Sequence, residues 1–359
     1  MSAPGAPSPG DLVMVDIKGR ELDAAQADFL SRNRIRAVCL FRSNLGTEDE
    51  MRRLTAALRE VLGPRALIGI DQEGGSVVRA TFLPHAPAAM ALGATGDAGL
   101  ARQVGEAVGR GLRSVGINWN FAPVLDVNNN PDNPVIGERS FSADPHAVAR
   151  LAGAWMEGAM SSGVACCVKH FPGHGDTSVD SHHDLPVVDK PLAALEGVEL
   201  LPFHELRQRA PAVMTAHIVY PQLDPVFPAT LSRRILGGLL RESWGFDGVV
   251  ITDSLVMKAI ADRFGHESAA VLALQAGADM VLALGSPKEQ AAALDGIGVA
   301  IAAGTLAPEA LARASGRLDA LAARFPAAEL PYALGQRDSD SRTMNAAWAR
   351  ALTCVGPAS

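Results

Sequence analysis

Residues 164–186 read VACCVKHFPGHGDTSVDSHHDLP. The first five residues are apolar and predict a short buried strand, because strands that are covered on both faces are continuous apolar runs. Lys169 and His170 stand at the end of this strand, and a polar loop with Gly173 and Gly175 follows. Packing does not explain so many ionisable groups in one loop. The combination is typical of an active-site loop at the C-terminal end of a strand.

Similar apolar runs occur eight times, separated by longer stretches with helical spacing of apolar residues. In residues 47–62, for example, four apolar residues share one helix face and Thr47 is a candidate N-cap. Eight alternations predict an α/β protein whose parallel sheet closes into a (β/α)8 TIM barrel. An open doubly wound sheet is the alternative, but no G-x-G-x-x-G follows the first strand. The predicted strands are Leu12–Val15, Ala37–Phe41, Ala66–Ile70, Ile117–Phe121, Val164–Val168, Ala212–Thr215, Val249–Thr252 and Met280–Ala283.

The positions of the predicted strands indicate that residues 11–305 form a single-domain barrel. Residues 1–10 have no basic start and no apolar core, so we expect a disordered tail rather than a secretory signal. Residues 306–359 are expected to form a helical extension packed on the barrel, with 326–340 as a connector and 341–352 as a terminal helix. The other predicted helices are Thr47–Leu62, Ala98–Val115, Pro145–Ser161, Pro191–Gln208, Ser232–Ser243, Glu267–Ala276 and Pro287–Ala302.

Charge and cysteine content narrow the functional class. The formal net charge is −7 without a long basic run, which argues against nucleic acid or an anionic membrane as the partner. No segment reaches the ~20 apolar residues of a membrane span. Cys39, Cys166 and Cys167 lie in apolar surroundings and, with Cys354, form no C-x-x-C pair, which indicates reduced buried thiols. We expect a cytoplasmic monomer.

Ionisable residues cluster after the predicted strands, on one side only. In a barrel these C-terminal ends meet at one mouth, where active sites lie. Merely solvated charges would occur at both ends of the strands. The cluster contains Asp71 after the third strand, Asp126 and Arg139 after the fourth, Lys169 and His170 at the fifth, His217 after the sixth and Asp253 at the seventh.

Asp180 and His182 are the candidates for proton transfer in the loop. A carboxylate two residues from an imidazole can fix its tautomer and stabilise its charged form. Such a histidine can protonate a leaving group and later deprotonate water. A solvated surface loop is one alternative. A metal site is another, but no zinc-type His-Glu-x-x-His or Cys/His spacing is present, so we expect no metal.

The string from Lys169 to Pro186 resembles the signature of family 3 glycoside hydrolases, in the single-domain bacterial β-N-acetylglucosaminidase (β-hexosaminidase) branch. The segment GVVITDSL, residues 248–255, is similar to the family's second motif. The resemblance implies that Asp253 is the nucleophile of a retaining mechanism and that His182, oriented by Asp180, is the acid/base. A helix N-cap is the alternative role for Asp253. His183 leaves open which imidazole faces the substrate.

The resemblance also implies a set of sugar-binding residues. The segment IDQEGG, residues 70–75, matches the family's sugar-recognition segment and VIGERSF, residues 135–141, matches a segment that supplies an arginine. A structural role is the alternative for the last two members of the set. The implied substrate-binding residues are Asp71, Arg79, Arg139, Lys169, His170, Asp126 and His217.

These features predict an exo-acting, retaining β-N-acetylglucosaminidase that removes terminal β-linked N-acetylglucosamine from muropeptide-like or chitooligosaccharide substrates. The implied setting is peptidoglycan turnover, with a small carbohydrate as the partner and no cofactor. A phosphorylase that uses phosphate instead of water, and a β-glucosidase or β-xylosidase of the same family, are the enzymatic alternatives. A non-catalytic sugar-binding barrel would predict loss of Asp253 or of the Asp-Ser-His triplet, and both are present.

Overall fold

The computed structural model describes residues 7–177 and 185–355. Eight parallel strands in it close into a barrel, and each lies at one of the eight predicted positions. The predicted (β/α)8 fold is therefore confirmed. The barrel strands are β1 Val13–Asp16, β2 Ala37–Leu40, β3 Leu67–Ile70, β6 Trp119–Asn120, β7 Ala165–Phe171, β8 Ala212–Thr215, β9 Val249–Ser254 and β10 Met280–Leu282, and a hairpin is formed by β4 Gln72–Gly74 and β5 Val77–Val78.

Chain order and spatial order agree around the barrel, and β10 closes it by pairing with β1. In that pair Val13 is opposite Val281 and Met14 is opposite Leu282. Successive residues of β7 point to opposite faces, yet all of them are buried, because side chains fill the interior and helices cover the outside. The strands run in one direction, so the polar residues that follow them meet at one mouth.

The helices surround the barrel largely as predicted. Helix α2 (Glu48–Leu62) begins with the expected cap. The Thr47 hydroxyl accepts from the Glu50 N–H at 3.2 Å, and the Glu50 carboxylate accepts from the Thr47 N–H at 2.6 Å, which is a capping box. The other helices are α1 Ala24–Arg32, α3 Ala89–Thr95, α4 Ala98–Ser114, α5 Pro145–Ser161, α6 Leu192–Gly197, α7 Leu201–Leu206, the π-helix Arg234–Ser243, α8 Lys258–Phe264, α9 His266–Ala276, α10 Pro287–Ala302, α11 Pro308–Arg324 and α12 Leu334–Val355, with 3₁₀ turns at Pro9–Leu12, Arg42–Asn44, Gly137–Arg139 and Ala229–Leu231.

The prediction of one helix over Pro191–Gln208 is wrong, because the chain forms two short helices, α6 and α7. Pro202 lies in the first turn of α7, where its missing N–H costs nothing. In the middle of a single long helix the same residue would remove a hydrogen bond and contact the preceding turn. The proline therefore sets the start of the second helix.

The expected connector over residues 326–340 is also wrong in its second half, because α12 begins at Leu334. Its polar stretch has a buried member, Asp340, which accepts from Arg110 Nε at 2.9 Å and Nη2 at 2.5 Å. This ion pair holds α12 against α4, and α12 also packs on α3. The division of the chain at residues 305 and 306 stays a prediction.

The prediction that the disordered tail extends to residue 10 is wrong for residues 8–10, which have a defined structure. Asp11 accepts from the Ser8 N–H at 2.9 Å and from its hydroxyl at 2.8 Å, and Gly10 is buried. These contacts fix the 3₁₀ turn that starts at Pro9. In the described residues no helix has the length and apolarity needed to cross a bilayer.

Helices α4 and α5 approach each other closely through glycines. A Cβ atom on Gly105 would lie 2.0 Å from the Trp155 carbonyl oxygen, and one on Gly158 would lie 2.0 Å from the Arg102 carbonyl oxygen. Both obstacles are backbone atoms, which a rotamer change cannot move away. Glycine at these positions therefore sets the distance between the two helices.

We predict that Gly105→Ala lowers stability by about 1–3 kcal/mol, because the added methyl group forces the helices apart. Gly316→Ala in the exposed face of α11 is the matched control, since no atom lies within 4 Å of its Cβ position. That control should gain up to about 1 kcal/mol from helix propensity. Urea denaturation midpoints measure both, and a stabilising Gly105→Ala would contradict the packing described.

Candidate active site

A cavity of about 420 Å³ opens at the mouth where the strands end. Its floor and walls include apolar residues of the barrel, among them Phe121 and Met214. Most of the site residues predicted from the sequence line it. These are Asp71, Arg79, Arg139, Lys169, His170 and Asp253.

Asp253 stands near the end of β9 on a backbone that the barrel ladder holds in place. One of its carboxylate oxygens, Oδ1, accepts from the Ser254 N–H at 2.7 Å. Burial raises the pKa of this carboxyl, but nearby His217, His170 and Lys169 and the Ser254 N–H outweigh burial and leave it below the ordinary value. Asp253 is thus a fixed, ionised, partly exposed carboxylate that can act as a nucleophile.

His217 lies behind Asp253 and is buried. Its Nε2 donates to the Ser254 carbonyl oxygen at 2.9 Å, and its Nδ1 contacts the Thr230 hydroxyl at 2.8 Å. The structure does not place it among the residues that line the cavity. It therefore supports the backbone next to Asp253, and its role in substrate binding stays a prediction.

An ion network with the buried Lys169 at its centre forms one wall of the cavity. The Lys169 Nζ lies 2.7 Å from Asp71 Oδ1 and 2.6 Å from Glu73 Oε1. Arg139 donates to both Glu73 oxygens, from Nε and from Nη2, at 2.9 Å each. Arg79 Nη2 lies 3.6 Å from Asp71 Oδ2. The network joins β7, the β3–β4 segment and the long loop after β6.

Electrostatics keep this network ionised. Burial raises the pKa of Glu73, but Arg139 and Lys169 together hold it far below its ordinary value. Burial lowers the pKa of Lys169, but Asp71 and Glu73 outweigh that effect and raise it. Three cations face two carboxylates in the network, which therefore carries an excess positive charge and lines the same cavity as Asp253.

Asp126 is fully buried and does not line the cavity. It accepts from His170 Nδ1 at 2.6 Å and from the His174 N–H at 2.6 Å. The first contact places the His170 proton on Nδ1 and so fixes the tautomer of the ring. The other ring nitrogen, Nε2, lies on the cavity side, 3.4 Å from Arg139 Nη2. Burial raises the pKa of Asp126, and His170 and His174 more than reverse this. Asp126 thus orients His170 and the start of the loop.

The proposed acid/base pair, Asp180 and His182, lies outside the described residues, as does His183. Their roles stay predictions. His174, the last described histidine before them, lines the cavity, and burial together with nearby His170 lowers its pKa to about 4. Within residues 7–177 and 185–355 no three His, Cys, Asp or Glu side chains form a group that could hold a metal ion.

Several residues that line the cavity were not among the predicted site residues, and two of these take part in the polar contacts described above. Glu73 is one, although its spacing of two from Asp71 is the period that puts side chains on one face of an extended chain. Gln72 between them points the other way and accepts from the Arg79 and Ala80 N–H groups at 2.9 and 3.0 Å. His174 is the second, and only its place in the polar loop marked it.

Comparisons with known proteins agree with the resemblance seen in the sequence. Residues 9–321 match the glycosyl hydrolase family 3 N terminal domain. A β-hexosaminidase of Alkalilimnicola ehrlichii is 38% identical over 291 residues, which cover 79% of this chain and 83% of the relative. A β-hexosaminidase of Chromobacterium violaceum is 40% identical over 292 residues, with coverages of 79% and 81%.

Solved structures give the same assignment. A family 3 β-N-acetylglucosaminidase from Paenibacillus sp. superposes with a TM-score of 0.91 at 41% identity, covering 96% of this chain and 68% of that one. NagZ from Neisseria gonorrhoeae, in complex with N-trifluoroacetyl-D-glucosamine, has a TM-score of 0.81 at 32% identity, covering 96% of this chain and all of that one.

We predict that Glu73→Gln lowers stability at pH 7 on the order of 3 kcal/mol, because it leaves Lys169 and Arg139 undercompensated in a buried site. The pKa of Glu73 is depressed in the folded protein, so its ionised form stabilises the fold above its ordinary pKa of 4.5, and this contribution decreases as the pH falls. The difference from wild type should therefore narrow below about pH 4.5.

Urea midpoints at pH 7 and pH 4 measure this effect. Glu60→Gln on the exposed face of α2 is the matched control and should show no change at either pH. A Glu73→Gln protein that is as stable as wild type at pH 7 would contradict the network's role.

Proposed function

The chain belongs to glycoside hydrolase family 3 and is a glycosidase, and we propose that it is a retaining exo-β-N-acetylglucosaminidase. The observation that carries this proposal is the position of Asp253, which faces the same 420 Å³ cavity as the ion network of Lys169. The names of its relatives support the sugar, since both β-hexosaminidases and β-N-acetylglucosaminidases are among them. The cavity is closed below by the barrel core, which suits one terminal sugar and favours exo cleavage.

The proposed reaction has two steps. In the first, an Asp253 oxygen attacks the anomeric carbon, the bond from that carbon to the leaving oxygen breaks, and His182 gives its proton to that oxygen. In the second, His182 takes a proton from water, the water oxygen bonds to the anomeric carbon, and the carboxylate is released. Two inversions give net retention. Asp180 is proposed to orient His182.

The ion network is proposed to hold the sugar hydroxyls. Lys169, Arg79 and Arg139 are hydrogen-bond donors and Asp71 is an acceptor, so a sugar hydroxyl can either accept or donate a hydrogen bond here. Because these groups already pair with one another, they are fixed before the sugar arrives, which lowers the cost of binding. His170, in the tautomer set by Asp126, presents Nε2 to the same space.

The natural substrates that we propose are muropeptide-like or chitooligosaccharide chains, with cytoplasmic peptidoglycan turnover as the setting. This part rests on the sequence resemblance. Turnover with and without inorganic phosphate separates the hydrolase from the phosphorylase alternative, and a panel of aryl glycosides separates it from a β-glucosidase or β-xylosidase. The hydrolase assignment predicts a rate that phosphate leaves unchanged and a preference for the N-acetylglucosaminide.

We predict that Asp253→Ala lowers the rate on an aryl β-N-acetylglucosaminide by at least about 10³-fold, because the nucleophile is gone. Added azide should restore part of the rate and give the α-glycosyl azide, since azide can attack from the vacated side. Asp28→Ala on the exposed face of α1 is the control and should be fully active. An Asp253→Ala enzyme as fast as wild type would contradict the assignment of Asp253 as the nucleophile.

We predict that His217→Gln moves the acidic limb of the kcat/KM profile to higher pH. Nearby His217 lowers the pKa of Asp253, so its loss raises that pKa, and the carboxylate protonates at a higher pH than in wild type. The exposed His204→Gln serves as the control. A limb that stays in place, or moves to lower pH, would refute the coupling between His217 and Asp253.

A further inference from the structure

A second cavity, of about 600 Å³, opens on the opposite mouth of the barrel, beside the starts of β8 and β9. The segment that follows α7, residues 207–211, forms one side and α11 forms the other. We call it the arginine cleft, after the five arginines that line it. They are Arg207, Arg209, Arg313, Arg317 and Arg324.

One face of α11 supplies three of these guanidinium groups. Arg313, Arg317 and Arg324 are separated by four and seven residues, which places them along the same side of the helix. Gly316 and Ala320 lie between them and also line the cleft. No atom lies within 4 Å of a Cβ position on Gly316. The small residues therefore leave open space beneath long cationic side chains.

Only two of the five arginines have carboxylate partners in the described part of the chain. Arg317 lies 2.8 Å from Asp247 and 3.1 Å from Asp279, and Arg209 pairs with Glu157. Asp247 is the one carboxylate among the described residues that line the cleft.

The other three arginines have neutral contacts or none in the same described residues. Arg207 Nη1 donates to the His204 carbonyl oxygen at 2.5 Å, while its Nε is buried without a partner. The Arg324 guanidinium lies 4.9 Å from the ring centre of Phe325. No hydrogen bond or ion pair of the described residues involves Arg313. The cleft is therefore rich in N–H donors and poor in acceptors.

This excess of positive charge contrasts with the chain as a whole, which carries a formal net charge of −7. Like charges gathered in one concave site repel one another unless an anion lies between them. A concave wall also concentrates the field and attracts anions of small size. Guanidinium groups are flat forks whose paired donors match the oxygens of a phosphate group.

We propose that the arginine cleft binds a small, multiply charged phosphate compound of the pyrophosphate class. Three guanidinium groups without carboxylate partners call for an anion with more than one charge, and the cavity has room for more than one phosphate group. The site lies at the end of β9 opposite Asp253, so the ligand is neither substrate nor part of the glycosidase reaction. The proposal is independent of the proposed function.

The test is calorimetric titration of the full chain with pyrophosphate at low ionic strength. We expect one saturable site whose affinity falls as salt is added. The double variant Arg313→Ala/Arg324→Ala should bind at least about tenfold more weakly. Arg53→Ala/Arg342→Ala, which removes two exposed arginines elsewhere, should bind as wild type does. Glycosidase activity and the circular dichroism spectrum of both variants should be unchanged, which shows that they fold.

Three results would overturn the proposal. The first is the absence of saturable binding to wild type below about millimolar pyrophosphate. The second is equal weakening in the two double variants, which would mean general attraction to surface charge. The third is tighter binding of citrate than of pyrophosphate, which would assign the cleft to carboxylates rather than phosphates. None of these three results depends on the activity of the Asp253→Ala variant. The failure of one proposal therefore leaves the other intact.

Discussion

The contact of the Lys169 ammonium group with two carboxylates, Asp71 at 2.7 Å and Glu73 at 2.6 Å, organises the site. The lysine side chain is only 3% exposed, and an ammonium group so buried is costly unless it is paired. Its partners come from the segment after β3, and Arg139 reaches Glu73 from the loop after β6. One charge therefore requires three distant parts of the chain to meet at a single mouth of the barrel.

The same contact explains how the cavity can do chemistry. The network leaves an excess positive charge on one wall, while Asp253 stands as a carboxylate near the end of β9. Lys169, together with His217 and His170, lowers the pKa of Asp253 against the opposing effect of burial. A neutral sugar can then be held by charged donors and acceptors that are already fixed, with an ionised nucleophile beside them. Binding and reactivity are thus properties of one electrostatic arrangement.

The sequence allowed the barrel and most of the cavity to be predicted, because both leave local signals. Buried parallel strands are apolar runs, and strand ends carry the polar residues. Such a local sequence pattern is absent where the role of a residue depends on which distant residues it contacts in the folded chain. The sequence did not reveal that Asp126 contacts the His170 ring or that His217 contacts the Ser254 backbone. Asp340 looks like part of a linker until its pairing with Arg110 is seen. The arginine cleft brings the segment after α7 next to α11, about a hundred residues later in the chain, and no motif marks it.

The covalent role of Asp253 is tested most directly by trapping the glycosyl-enzyme intermediate. A 5-fluoro-N-acetylglucosaminyl fluoride forms the glycosyl-enzyme but slows its hydrolysis, because the fluorine destabilises the cationic transition state. Proteolysis and tandem mass spectrometry of the treated protein then locate the sugar. We predict a single ester-linked adduct on Asp253. An adduct on another carboxylate, or turnover that proceeds with inversion of the anomeric centre, would contradict the account.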